Sequence, residues 1–287
     1  MIFHYTDDDN FVRILKNGEL YLTRSTSSND LMDTVYISKL LMDNAEDIFG
    51  DIISNKIIQK DKFNEKIFSR LVVDIFRKFM NDIISNNSNE ERTNKCFVIC
   101  FTDKPDSRFL WEAYAKDMGV SIGVEKEDLE KYIHDKHAYI SKNLIDMKFS
   151  KVIYDEKEQL NKLRKLSKKI FNKHYKDIEE LSSASKIVTF DWISEFDGEI
   201  TKVNSQTKQI TIRQWVVDFM EEYNIELLKL APFIKHPYWK EEREYRLCVY
   251  RPLRSEVLND LCYYKRKDTG KKVHYMSVPF EKSLIKK

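Results

Sequence analysis

MIFHYTDDDNFVRILKNGELYL, residues 1–22, places three element signals in a short span. Ile2 to Tyr5 reads as a short strand. Asp8 or Asp9 caps a helix whose apolar positions Phe11, Ile14 and Leu15 follow helical spacing. Gly18 supplies a left-handed stop, and Leu20 to Leu22 is again extended. The rest of the chain is read outward from this strand–helix–strand opening.

Downstream, Phe63, Ile67, Leu71, Phe76, Phe79 and Ile83 recur at helical spacing, so about 31–92 is expected to be a helical insertion ending in the polar loop NNSNEERTNK. Strand character returns in CFVICFT at 96–102. A short helix carrying Phe109, Leu110 and Tyr114 follows, then strands at Val120–Val124 and Phe149–Tyr154. A long helix over 156–182 and a third helix around 213–230 form a second insertion, about 156–230, with 186–212 unassigned. YRLCVY at 245–250 is a strand. The expected class is α+β, one domain over residues 1–287 with a strand-built core and two helical insertions.

Composition narrows the function classes. The 287 residues are 42% hydrophobic and 33% charged, with a formal net charge of +2, which suits a soluble globular protein and not a dedicated nucleic-acid coat. The six glycines stand alone at 18, 50, 119, 123, 198 and 270, so there is no phosphate-cradling glycine loop. No signal-like N-terminus or membrane-length apolar run is present, and the four cysteines (Cys96, Cys100, Cys248, Cys262) read as buried reduced thiols, so the expected location is cytoplasmic.

Three separated segments carry the chemistry: His4 to Gly18, Phe101 to Tyr114 (FTDKPDSRFLWEAY), and Glu242 to Tyr250 (EREYRLCVY). Strand parity links two of them. Tyr245, Leu247 and Val249 make an apolar face opposite Glu244 and Arg246, and His4 opposes Phe3 and Tyr5. His4 and Glu244 are therefore each expected on the polar side of a strand whose reverse is core.

Together the segments resemble the ADP-ribosyltransferase superfamily in its histidine–tyrosine–glutamate branch, which includes diphtheria toxin and the poly-ADP-ribose polymerases. The matching features are His4 followed by Asn10-Phe11, Ile14-Leu15 and Gly18, then Ser107 and Tyr114, then Glu244-Tyr245-Arg246-Leu247. More narrowly, the chain resembles the bacterial domain of unknown function 2971 through HYT, Asn29-Asp30, CFTDKPDS, the W-x-x-Y of Trp111 and Tyr114, and the late E-x-E-aromatic-R. The superfamily resemblance implies a split β-sheet and an NAD-dependent transferase modifying a macromolecule, as a toxin or phage-defence effector does.

In that reading NAD is substrate and no metal takes part. His4, Tyr5 and Thr6 hold the nicotinamide–ribose end, with a neutral His4 donating to a ribose hydroxyl. Ser107 and Tyr114 flank the nicotinamide, and Glu244 is catalytic. Cleaving the nicotinamide–ribose bond passes through an oxocarbenium-like state that a facing carboxylate stabilises. Glu242 can orient or deprotonate the acceptor. The branch commonly has glycine after the histidine; here it is Tyr5.

The lysine-rich face at Lys162, Lys165, Lys168, Lys169 and Lys173 and the basic run KRKDTGKK at 265–272 suit a nucleic-acid acceptor, with a protein acceptor also open. Asp103, Asp106 and Glu112 read as turn and cap residues, and His134 and His137 as surface histidines. Two other functions remain: an NAD-consuming RNA 2′-phosphotransferase-like enzyme, against which the acidic run Asp7–Asp9 counts, and a non-catalytic nucleic-acid- or protein-binding module on the same fold.

Overall fold

The computed structural model describes residues 1–25, 36–54, 96–115, 118–141, 146–184, 212–250, 262–265, 270 and 272–286. By the chain's own contacts it divides into two compact units, one of Met1–Asp43, Met80–Leu160 and Leu228–Lys287, the other of Asn44–Phe79 and Asn161–Leu227.

The first unit begins with β1 (Ile2–Thr6), α1 (Asp8–Asn17) and β2 (Glu19–Arg24). The helix starts where the Asp7 side chain accepts from the Asn10 backbone N–H at 2.9 Å. Asp7 is thus the cap, and Asp8 and Asp9 sit in the first turn, where acidic charge meets the positive end of the helix dipole. Gly18 ends the helix at φ 64°, its N–H donating to the Ile14 carbonyl. Next come α2 (Tyr36–Asp43), β3 (Cys96–Thr102), a helical turn Arg108–Leu110 that runs into a π-helical turn Trp111–Ala115, and β4 (Val120–Val124).

The unit continues through α4 (Lys126–Ser141), counting α3 (Ala45–Ser54) of the second unit, and β5 (Asp146–Lys151). It closes with β6 (Glu244–Tyr250), β7 (Cys262–Lys265) and β8 (Lys272–Pro279). These strands form one eight-stranded sheet with every ladder antiparallel, in the order β4-β1-β3-β2-β8-β7, while β6 pairs with β3 and β5. The class is α+β. One sequence assignment moves, and elements without an assignment are added. The strand expected at Phe149–Tyr154 runs from Asp146 to Lys151. Lys126–Ser141 is a helix. Lys265 of β7 opposes Lys272 of β8 at the two ends of the basic run.

One face of the sheet carries the main core: Ile2, Phe97, Ile99, Phe101, Leu247 and Val249 are buried there with Ile14 of α1. The reverse face is also covered. Phe3 and Tyr5 pack on Leu110, Ala115 and Trp111, and Cys96, Cys248 and Tyr250 pack on Phe233.

The second unit contains α3, most of α5 (Glu156–Ala184) and most of α6 (Ile212–Leu230). Its described core holds Phe49, Leu163, Ile170, Phe171, Phe219 and Tyr223, and the Tyr223 hydroxyl shares a 2.7 Å hydrogen bond with Ser167. Lys169 and Lys173 of the lysine face pair with Glu226 and Glu222, while Lys162, Lys165 and Lys168 are exposed. Of the two insertions expected from sequence, residues 55–92 and 185–211 lie outside the described residues. Among the described residues no helix is long and apolar enough to cross a membrane.

The α1–β2 turn depends on Gly18, because an L side chain at φ 64° is strained, and a Cβ there would lie 3.4 Å from the Phe280 carbonyl. Gly18→Ala is expected to lower stability by about 1–2 kcal/mol, read as a fall in the urea midpoint at unchanged slope. An unchanged midpoint would show that the turn relaxes freely.

Candidate functional site

On one edge β3 pairs with β6 along its whole length, from Cys96↔Tyr250 to Thr102↔Glu244. Its other edge is shared. β1 meets it only at Phe3↔Thr102, and β2 only at Thr23↔Val98 and Arg24↔Phe97. Ile99, Cys100 and Phe101 therefore face an opening between two strands. His4 lies at that opening, its Nδ1–H donating to the Cys100 carbonyl at 2.8 Å and its ring 5.6 Å from that of Phe101. A carbonyl only accepts, so Nδ1 carries the proton, and in the neutral ring Nε2 is an acceptor. Burial lowers the His4 pKa against the opposing effects of the Cys100 carbonyl and Asp7, which favours the neutral form.

A cavity of about 230 Å³ opens here, with His4, Tyr5, Thr6, Cys100 and Tyr114 on one part of its wall and Arg13, Tyr21 and Tyr275 on another. Tyr5 does not fill it. The Tyr5 ring points to the reverse face, stacks edge-on against Trp111 at 5.0 Å, and donates its hydroxyl to the Lys104 carbonyl. The Ser107 backbone N–H donates to that hydroxyl at 3.0 Å. Tyr5 thus organises the 103–115 loop through its side chain and leaves its backbone along the cavity. Ser107 serves the loop and does not line the cavity.

Glu244 begins β6, 5% exposed, and Glu242 ends the preceding 3₁₀ turn (Pro237–Glu242), 2% exposed. Arg246 Nε and Nη2 hold Glu244 Oε2 at 2.8 and 2.6 Å, and Arg246 Nη1 donates to the Pro232 carbonyl. Lys235 Nζ contacts Glu242 Oε2 closely and lies 3.6 Å from Glu244 Oε1. Two carboxylates and two cations form a buried quartet.

Its members titrate apart. Burial raises Glu244, but Arg246 and Lys235 outweigh it and hold the carboxyl below its usual range. Burial and the like charge of Glu244 push Glu242 up to about 7, against the pull of Lys235. Arg243 between them has φ 48°, the left-handed conformation that turns the 3₁₀ segment into β6. Tyr114, 37% exposed, is common to cavity and quartet: burial and then Glu242, with Cys100 and Glu244, raise its hydroxyl pKa.

The register corrects the parity expectation. Thr102 opposes both Phe3 and Glu244, so Glu244 shares a face with Phe3 and Tyr5, and His4 belongs to the other, main-core face. Alternation within a strand fixes sides only relative to that strand. His4, Tyr5, Thr6 and Tyr114 converge on the cavity; Ser107 and Glu244 do not line its wall. Cys100 lines it too, half-buried, unlike the fully buried Cys96 and Cys248.

Sequence reading missed Lys235 and Gln159. The fully buried Gln159 amide donates to the carbonyls of Ile153 and Lys235 at 2.7 and 2.8 Å, fixing the Lys235 backbone. A glutamine in the first turn of a charged helix carries no pattern that marks it. Asp106 and Glu112 are occupied locally, by the Trp111 indole N–H and Arg108, while Asp103 lies 3.7 Å from the distant Arg243.

Residues 110–247 match the family described as Protein of unknown function (DUF2971), a span that holds Tyr114, Gln159, Lys235 and both glutamates but not β1. Over 171 residues the chain is 26% identical to the "Probable DNA-directed RNA polymerase subunit beta" of Spodoptera littoralis nuclear polyhedrosis virus, covering 54% of this chain and 18% of that relative's length. No solved structure matches.

Two measurements probe the quartet. Lys235→Met leaves two buried carboxylates with one cation and is expected to cost about 3–5 kcal/mol at neutral pH; a smaller loss would mean that water enters the site. A carboxyl raised from its ordinary 4.5 to about 7 adds stability that is complete below 4.5 and is lost as pH rises through 7. Wild type should therefore lose stability over that range relative to Glu242→Gln, compared by urea midpoints at each pH. Parallel curves would place the raised carboxyl elsewhere.

Proposed function

We propose that this chain is an NAD-dependent ADP-ribosyltransferase acting on a macromolecular acceptor, with the nicotinamide–ribose end of NAD held at the sheet opening. The observation that carries the reading is His4, held by the Cys100 carbonyl at the interval between β1 and β2 along β3, beside a cavity, since a fixed imidazole next to strand backbone is what a ribose and a carboxamide need. The Tyr5 and Thr6 backbone would face the carboxamide. With Nδ1–H committed to Cys100, His4 would accept a ribose hydroxyl proton at Nε2, where the sequence-based expectation had it donating. Tyr114 would cover the ring.

In the reaction the bond from nicotinamide nitrogen to ribose C1′ breaks, its electron pair leaves with nicotinamide, and positive charge develops on the ribose. An acceptor oxygen or nitrogen then forms the new bond at C1′ and gives up a proton. The glutamates suit two roles because their environments push them apart. Ionised Glu244 would stabilise the developing charge, and Glu242, which titrates near neutrality, would take the acceptor's proton. Both would act from the Tyr114 side.

The test incubates the purified protein with labelled NAD and cell lysate, followed by nuclease or protease digestion to identify the labelled polymer. Glu244→Gln should bind NAD yet release nicotinamide roughly 10²–10³-fold more slowly, the loss expected when transition-state charge stabilisation is removed. Glu242→Gln should keep nicotinamide release and lose transfer. Wild-type protein that releases no nicotinamide and labels no polymer overturns the reading.

A further inference from the structure

Arg13 lines the cavity together with Tyr21 and Tyr275. Its guanidinium carbon sits 4.6 Å from the Tyr21 ring centroid and 5.8 Å from that of Tyr275. The two rings meet edge-to-face at 5.6 Å, and the Asn17 amide donates to the Tyr21 hydroxyl at 2.6 Å. Both tyrosines stand on the β2–β8 ladder, where Tyr21 opposes Ser277 and Thr23 opposes Tyr275, so the aromatic seat is part of the sheet.

Arg13 differs from five cations near the quartet and the 103–115 segment. Arg246, Lys235, Lys104, Arg243 and Arg108 are each neutralised by a carboxylate. Among the described residues Arg13 has aromatic faces as neighbours and makes no ion pair. Stacking holds a guanidinium by its face and leaves its N–H edge free, the geometry that receives a phosphate through two parallel hydrogen bonds.

We infer that Arg13 is the phosphate-reading residue of the cavity, so that the cavity selects phosphorylated nucleosides over bare ones. The inference deepens the NAD reading and rests on it for the identity of the nucleoside. It departs from the usual glycine-rich phosphate loop, which the isolated glycines exclude, by replacing backbone N–H groups with one side chain seated on tyrosines.

The test is calorimetric titration of the full chain with NAD, ADP and nicotinamide riboside, in wild type, Arg13→Met and Arg13→Lys, with thermal melts to confirm folding. Wild type should bind NAD and ADP roughly tenfold or more tightly than the riboside, about the worth of one charge-assisted hydrogen bond. Arg13→Met should erase that preference and leave riboside affinity within a few-fold. Arg13→Lys should restore part of it. NAD and riboside binding equally in wild type, or NAD affinity unchanged in a folded Arg13→Met, overturns the assignment of Arg13 and leaves the NAD reading standing. ADP binding that needs Arg13, with no binding of NAD, keeps the phosphate site and overturns the NAD reading instead. No binding of any of the three overturns both.

Discussion

Two strands share one edge of β3, and the rest of the first unit follows from that constraint. β1 runs along the edge from Thr102 and leaves it after one pair, and β2 takes up the same edge at Val98. Both are antiparallel to β3, so they are parallel to each other, and the chain must make a crossover between them. That crossover is α1, ten residues capped by Asp7 and stopped by Gly18. A helix cannot lie in the plane of a sheet, so β1 and β2 are separated along this edge by an interval of three β3 residues, about 10 Å at the strand repeat. Backbone groups in that interval need partners. His4 satisfies the Cys100 carbonyl. The histidine thus has a structural reason to be there whatever the cavity binds, and the same bond fixes which nitrogen it offers.

The second constraint is electrostatic. Burying four charges is costly unless each finds a partner and the remaining hydrogen-bonding capacity is met. Here Arg246 spans Glu244 and the Pro232 carbonyl, and Lys235 lies between both glutamates. The backbone that carries Lys235 is tied to β5's continuation: Lys235 N–H donates to the Ile153 carbonyl, Ile153 N–H to Phe233, and Val152 N–H to Glu244. Gln159 closes the arrangement from α5, and its carboxamide oxygen accepts from the buried Tyr36 hydroxyl. The left-handed Arg243 adds strain of order 1–3 kcal/mol between the two carboxylates, the kind of local cost that persists where surrounding contacts over-determine it.

How much of this was legible varies with the kind of signal. The α1 periodicity, Gly18 and the β6 alternation were plain because each is local. The first residue of the cap was misplaced by one because three successive aspartates offer the same chemistry. β7 and β8 were hidden by lysine and tyrosine content that reads as a basic run, although lysine is a common guard of an edge strand such as β7. The site divided along the same line. His4, Tyr114 and the glutamates carry recognisable types and spacings. Lys235 and Gln159 act through contacts between distant segments, and the face on which His4 lies depends on a register that no single strand encodes.

Taken together, the constraints give the cavity wall groups of opposite electrical character. Among the described residues Arg13 makes no ion pair, and Tyr114 feels two carboxylates of which Glu244 stays ionised. NAD, the ligand proposed above, carries a cationic nicotinamide ring at one end and an anionic pyrophosphate in the middle. A ligand of that kind with its phosphate toward Tyr114 would meet the field of the glutamates, and with its ring cation toward Arg13 a second like charge. Discrimination between the two orientations then comes from repulsion as much as from attraction. The interval between β1 and β2 provides the opening, and Arg13 and Tyr114 supply the opposite charge preferences.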